Sequence, residues 1–262
     1  MSAYETISVD RTDSVATVRL DNLEARNALD FQLADELLSA VTTLGEDQDV
    51  RCLVLTHAGE FFNIGANLGE LSGDETDAPH IRQLAGRLHE VVIQLHQART
   101  PVVCGVDGVA AGAGFSLTLV PDMLVLSDEA RLEFAYPQLG LTGDGGVTYF
   151  LPRLVGLRTA RELVLQGEPI SPEQAVEIGL ANEVVPSEEF DDRLDELAGD
   201  IAAGPTGALA ETMRLLTESH SRDLEGQLAA ETDAMASAIN STDYQRGYEA
   251  FFGDGDPEFV GY

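Results

Sequence analysis

Two short turns made of small residues are the parts of this chain best suited to chemistry: residues 62–68 (FNIGANL) and 108–114 (GVAAGAG). Each follows an apolar run that reads as a buried strand, residues 52–56 and 102–106, and each leads into a helical pattern. Small residues at such a corner let a ligand approach the bare backbone. The N–H groups at a helix start lack intrahelical partners and attract negative charge. Two of them converging on one oxygen would form an oxyanion hole. Taken singly, either turn serves equally well as a tight connection packed for shape.

The elements that must position these turns follow an α/β rhythm. Residues 7–9 and 15–20 alternate like paired strands around a turn at 11–14. Asp30 is placed to cap a helix running to about residue 44, with Leu33, Leu37, Leu38 and Val41 on one face. A polar stretch at 72–79 precedes a long helix expected over residues 81–98, where Ile81, Leu84, Leu88, Val91 and Leu95 keep helical spacing. Residues 123–126 and 132–134 read as further strands. Beyond Gly146 the pattern is mostly helical, with Ser171 and Pro172 marking one helix start. Gly204 and Pro205 break the pattern, which divides the chain into a core of residues 1–204 and a helical region of residues 205–262. Leu224, Leu228, Met235 and Ile239 form one helical face there, fit for the core or for a contact between copies.

Composition narrows the function classes. The chain has 262 residues, 44% of them hydrophobic, enough for one large domain with a small appendage. No apolar run is long enough to cross a bilayer, and residues 1–6 lack the basic and apolar regions of a secretory leader, so a cytoplasmic location is expected. Cys52 and Cys104 fall in predicted buried strands and read as reduced core residues. Acidic residues number 46 against 15 basic ones, all of them Arg, for a formal net charge of −31. That balance argues against nucleic acid as a partner. The acids are spread along the chain, as in proteins from salt-accumulating cells, and molar salt is the expected working medium. His57, His80, His89, His96 and His220 show no metal-ligand spacing, and His89 and His96 read as surface or core residues of the long helix. Ser116 lacks the trailing glycine of a nucleophile elbow. Residues 253–258 lack the ligand series of a calcium loop and read as a solvated tail. The triplet Asn240, Ser241, Thr242 matches a glycosylation site by chance.

Taken in order, residues 25–29, 62–68, 108–114, 139–146 with 151–156, 181–185 and 251–259 resemble the enoyl-CoA hydratase/isomerase family, the crotonases, over nearly the whole chain. The resemblance implies a spiral of strand–strand–helix units with a C-terminal helical trimerisation region, assembled as a trimer or a dimer of trimers. It implies an acyl-CoA substrate, with no metal and no further cofactor. It assigns the oxyanion donors to the backbone N–H groups of Ala66 and Ala113. It places CoA against Ala25, Arg26, Ala28, Ile64, Gly65, Asn67, Leu68 and Phe251, and lines the acyl pocket with Gly112, Ser116 and Gln138. Hydratases of the family carry two Glu where this chain has Ser116 and Gln138. The acid that remains is Asp144. An aspartate there, with a small hydroxyl residue at Ser116, looks closest to the branch of ring-1,2-epoxyphenylacetyl-CoA isomerases. The structural alternative for Asp144 is a turn or cap before Gly145 and Gly146. The family's cations after Phe251 and Phe252 are missing, with Asp254 and Gly255 in their place, so Arg26 and Arg246 are the candidates to meet CoA phosphates. The expected reaction is double-bond isomerisation through a thioester enolate. Hydration, or a non-catalytic acyl-CoA-binding role, are the alternatives.

Overall fold

The computed structural model describes residues 4–253 and 255–262; Met1, Ser2, Ala3 and Asp254 lie outside it. Strands β1 (Ile7–Thr12) and β2 (Val15–Leu20) form an antiparallel hairpin through Asp13, whose φ of 52° suits a short polar side chain. Ala16, Val18 and Leu20 of β2 are fully buried, the alternation of a strand with one face in the core. Helix α1 (Phe31–Glu46) starts as expected, the Asp30 carboxylate accepting the Leu33 N–H at 2.8 Å.

Strand β3 (Cys52–His57) is buried throughout and pairs in parallel with β2 and with β5 (Val102–Val106). The two small-residue segments are only partly turns. Each opens with a short strand, β4 (Phe61–Asn63) and β6 (Val109–Ala111), and these join β8 (Arg131–Glu133) in a second parallel sheet. The larger sheet runs β1-β2-β3-β5-β7-β9, where β7 is Met123–Ser127 and β9 is Glu183–Val185. Successive strand pairs β3/β4, β5/β6 and β7/β8 therefore feed the two sheets in turn, the expected spiral. Helix α2 (Ala78–His96) begins three residues before the predicted start, because Pro79 fits the first helical turn, where its missing N–H breaks no bond. It ends two residues early, ahead of Pro101. Strand β9 was not foreseen: three half-buried residues are too few to show a period.

Short helix α3 (Ala113–Thr118) is wholly buried. Helices α4 (Val147–Leu154), α5 (Gly156–Gln166) and α6 (Pro172–Glu177) follow. Helix α7 (Phe190–Ala203) packs Phe190, Leu194, Ala198 and Ala202 against Cys52, Val54, Val103 and Val125. Both cysteines are free and buried, and burial pushes the Cys52 thiol up to about 12. No helix is long and apolar enough to cross a membrane among the described residues.

His57 closes β3 with its Nε2 accepting the Asp107 N–H at 2.9 Å, so the ring proton sits on Nδ1, which has no hydrogen-bond partner among the described residues. Burial holds its pKa below the ordinary value. The unfolded chain then binds the extra proton first, and stability falls as pH drops below about 6.5. Denaturant unfolding in high salt is expected to show a shallower acid loss for His57→Gln than for the native chain.

The chain ends on α8 (Thr206–Glu218), α9 (Leu224–Ala238) and α10 (Thr242–Phe252). Arg51 ties this region down: its guanidinium donates to the carbonyls of Gly204 (2.5 Å) and Phe259 (3.0 Å) and to Thr206 Oγ1 (3.1 Å). The buried Asp243 carboxylate accepts the N–H groups of Val260 and Gly261. Charged hydrogen bonds of this kind contribute about 1.5–3 kcal/mol each at most, so Arg51→Met is expected to lower stability by roughly 2 kcal/mol. Limited proteolysis is expected to cut that variant first near residue 204.

Candidate active site

Two asparagines shape the first turn. Asn27 sits at φ 54°, its Oδ1 accepting the Asn22 N–H at 2.7 Å and its Nδ2 donating to the Phe61 carbonyl at 2.7 Å. Asn63 Nδ2 donates to the Asn27 carbonyl, while Asn63 Oδ1 accepts the Gly65 N–H at 2.8 Å. Residues 25–29 are thereby clamped beside 64–68. The Leu29 N–H donates to Gly65 O (2.7 Å) and the Asn67 N–H donates to Leu29 O (2.8 Å). Between these two bonds the Ala66 N–H donates to no group among the described residues. Ala25 and Ile64 are half-buried, Ala28 and Gly65 buried, and Leu68 exposed. Asn67 caps the following turn through the Gly69 N–H. Exposed Arg26 lies 5.3 Å from the Phe61 ring centroid and makes no ion pair among the described residues.

The second turn lies against the first. A Cβ on Gly65 would stand 3.7 Å from the Ala113 nitrogen, and one on Gly112 would stand 3.5 Å from Gly65 Cα. At Gly114 the approach is closer still: a Cβ there would lie 2.2 Å from the Asn63 carbonyl oxygen, which only glycine permits. Gly112 is fixed by its N–H donating to Glu133 O at 3.1 Å. Ala113 opens α3, so its N–H has no intrahelical acceptor, and it donates to none elsewhere among the described residues. Two free amides thus occupy adjoining turns.

Asp144 lies on the loop between the turn Tyr136–Leu139 and α4. Gly145, at φ 64°, leaves no room for a side chain, since its Cβ would lie 2.9 Å from Ser116 Cβ. Gly146, not Asp144, is the cap of α4, and the Asp144 side chain caps nothing. The loop is held through the Asp144 carbonyl, which accepts Ser116 Oγ–H at 2.8 Å and Tyr136 O–H at 3.1 Å. Ser116 sits on α3, the helix that Ala113 opens, so its bond ties the Asp144 loop to the element that carries the Ala113 amide; the Gly112 carbonyl lies 3.2 Å from the same Oγ, whose single proton serves one acceptor at a time. Burial pushes the Tyr136 phenol up, which keeps it neutral and a donor. Ser116, placed in the pocket wall by the resemblance, is fully buried and acts as this link. Gln138 is exposed on its turn and makes no side-chain hydrogen bond among the described residues.

The sequence reading missed the partner of the Asp144 carboxylate. His89 of α2, taken as a surface or core residue, places Nε2 2.7 Å from Asp144 Oδ1. Its signal was faint: one polar ring beside Leu88, on a helix that also carries His80 and His96. Asn27, Asn63 and Tyr136 were also missed, although an asparagine between tight turns is the type that tolerates a positive φ. Phe251 is not brought to this site. It is 82% exposed on α10 and lines a groove with Tyr244, Tyr248, Phe259 and Tyr262 whose walls all come from residues 205–262. Arg246 is turned to the tail, donating to the Glu258 carbonyl. The contribution expected of Asp254 lies outside the described residues.

A profile described as Enoyl-CoA hydratase/isomerase matches residues 10–261. The chain belongs to that family. Among relatives, the 1,2-epoxyphenylacetyl-CoA isomerase of Escherichia coli (strain K12) is 34% identical over 94% of this chain and 95% of its own length. A probable enoyl-CoA hydratase of Rhodobacter capsulatus is 31% identical over 99% of both chains. A crystal structure described as a putative enoyl-CoA hydratase/isomerase from Mycobacterium abscessus superposes with a TM-score of 0.93 at 32% identity, over 98% of this chain and 100% of that one. This member of the enoyl-CoA hydratase/isomerase family is therefore an acyl-CoA enzyme, isomerase or hydratase, and the double-sheet spiral is its family fold.

Proposed function

We propose that the protein isomerises the double bond of an unsaturated acyl-CoA through a thioester enolate. The Ala66 and Ala113 amides hold the thioester oxygen, and Asp144 takes a proton from one carbon and returns it to another. The observation that carries this reading is the Ser116 link, which sets the Asp144 loop beside two unused amides in adjoining turns. Negative charge develops on the oxygen as the proton leaves, and fixed donors stabilise it without reorganising. Residues 25–29 and 64–68 form the CoA wall, with Arg26 as the cation offered to its phosphates. Ser116 and Gln138, where hydratases of the family present carboxylates, leave one acid for the chemistry, which suits proton transfer better than water activation.

Hydration is the second reading, favoured by the relative named as a probable enoyl-CoA hydratase that matches the full length. A panel of 2-enoyl-, 3-enoyl- and dienoyl-CoA substrates in high salt separates the two. Migration of the double bond supports isomerisation, and loss of the enoyl absorbance of crotonyl-CoA with a hydroxyacyl product supports hydration. Saturable binding with no reaction on any member would identify a binding subunit instead.

The working medium and assembly belong to the same proposal. A net charge of −31 repels itself across the folded chain in dilute buffer. At about 1 M salt the Debye length is about 3 Å and this repulsion is largely screened. Dialysis into dilute buffer is expected to reduce both activity and thermal stability, and restored salt to recover them. The α9 face of Leu224, Leu228, Met235 and Ile239 is half or more exposed and covers no core. We take it as a contact between copies, for which sedimentation in high salt is expected to show a trimer or a dimer of trimers.

A further inference from the structure

The carboxylate of Asp144 has a built-in way to water. His89 Nε2 lies 2.7 Å from Asp144 Oδ1, and the imidazole is half exposed, its side chain 50% accessible against 39% for the carboxylate. The ring therefore touches the acid through Nε2 and remains half open to solvent. The neighbouring charges have other partners: Arg87, on the same helix, pairs with Asp35 of α1 and with Glu90. Tyr136 meets Asp144 at its backbone carbonyl, not at the carboxylate. No arginine pairs with Asp144 among the described residues, which leaves His89 as the group set against its carboxylate.

A carboxylate that has taken a proton from carbon can lose it in two directions. It can hand it to the second carbon of the substrate, or to the imidazole. In the second case the Oδ1–H bond breaks and an Nε2–H bond forms on the neutral ring, whose own proton sits on Nδ1. The half-exposed imidazolium trades its Nε2 proton for one from water, then returns that solvent proton from Nε2 to Oδ1, and the carboxyl group delivers it to the second carbon. Carboxylate and the same neutral tautomer are regenerated, and a substrate hydrogen has been exchanged for a solvent hydrogen. We infer that His89 is a positioning residue for Asp144 and the route by which its proton exchanges with solvent. This rests on the reading of Asp144 as the proton carrier.

The test runs the isomerisation in D2O and reads deuterium in the product by mass spectrometry, for the native chain, His89→Gln and His89→Phe. Native product is expected to carry solvent deuterium in most turnovers. His89→Gln, which keeps a donor on Oδ1 but cannot relay a proton, should lower that fraction several-fold while kcat stays within about tenfold. His89→Phe should also lose about tenfold or more in kcat, with KM unchanged, because the carboxylate is no longer oriented. An unchanged deuterium fraction in both variants overturns the inference. A second readout needs no turnover: the 15N signals of the His89 ring, followed by NMR at one pH, should move in D144N from their native positions, because the carboxylate facing Nε2 has been replaced. Unmoved ring signals overturn the pairing and leave the role of Asp144 standing. If no enoyl-CoA reacts while the signals do move, the pairing holds and the proposed reaction is what has failed.

Discussion

Asp144→Asn is expected to lower isomerase turnover about 10²-fold or more while acyl-CoA binding is retained. The substitution removes the charge and proton affinity of the carboxylate that faces His89 and leaves the fold alone. Asparagine has the same shape, and the loop is anchored by the Asp144 carbonyl rather than by its side chain. The side chain caps no helix and is part-exposed, so no cavity and no orphaned buried group results. An amide cannot accept a proton from carbon at neutral pH, and no second carboxylate occupies the positions of Ser116 or Gln138. Steady-state kinetics with calorimetric binding of a saturated acyl-CoA separates the two effects. Unchanged turnover removes Asp144 from the mechanism.

The second large effect is expected at Ala113. Proline there deletes the backbone N–H and puts the ring Cδ on the same nitrogen; the first position of a helix has no intrahelical bond to lose and accepts the φ of a pyrrolidine ring. Loss of one oxyanion donor costs about 10²–10³ in kcat. Ala113→Pro is therefore expected to keep its fold, read by circular dichroism and thermal unfolding in high salt, while turnover drops by about that factor. Ala113→Gly, which keeps the N–H, should retain most of the activity. If proline and glycine behave alike, the amide holds no developing charge.

How much of this could be read from the chain depended on sequence distance. The α1 start was legible because capping is local: Asp30 and the Leu33 amide it accepts are three residues apart. The α/β rhythm was legible because buried strands and small-residue corners recur in order; the spiral came from the family resemblance. Inside those corners β4 and β6 were not, because three residues show no period. The Ala66 and Ala113 turns could be named but their contact could not, since it depends on Gly65 and Gly114 meeting partners far along the chain. The His89–Asp144 pair spans 55 residues, and the partner lies on a helix that looks like ordinary amphipathic structure. Ser116 illustrates the same limit. Its small hydroxyl was noted where an acid would stand, but only the fold shows it tying the Asp144 carbonyl to α3. Phe251, expected beside CoA, lies on a groove built from residues 205–262 of its own chain.

The most direct measurement is the infrared stretch of an isotope-labelled thioester carbonyl in an enoyl-CoA bound to D144N, where the ligand survives unreacted. Two amide donors should move that band to lower frequency than in water, and adding Ala113→Pro should return it most of the way. A band at saturating ligand that stays where it is in water, or that ignores the proline, would contradict the paired grip on which the proposed chemistry depends.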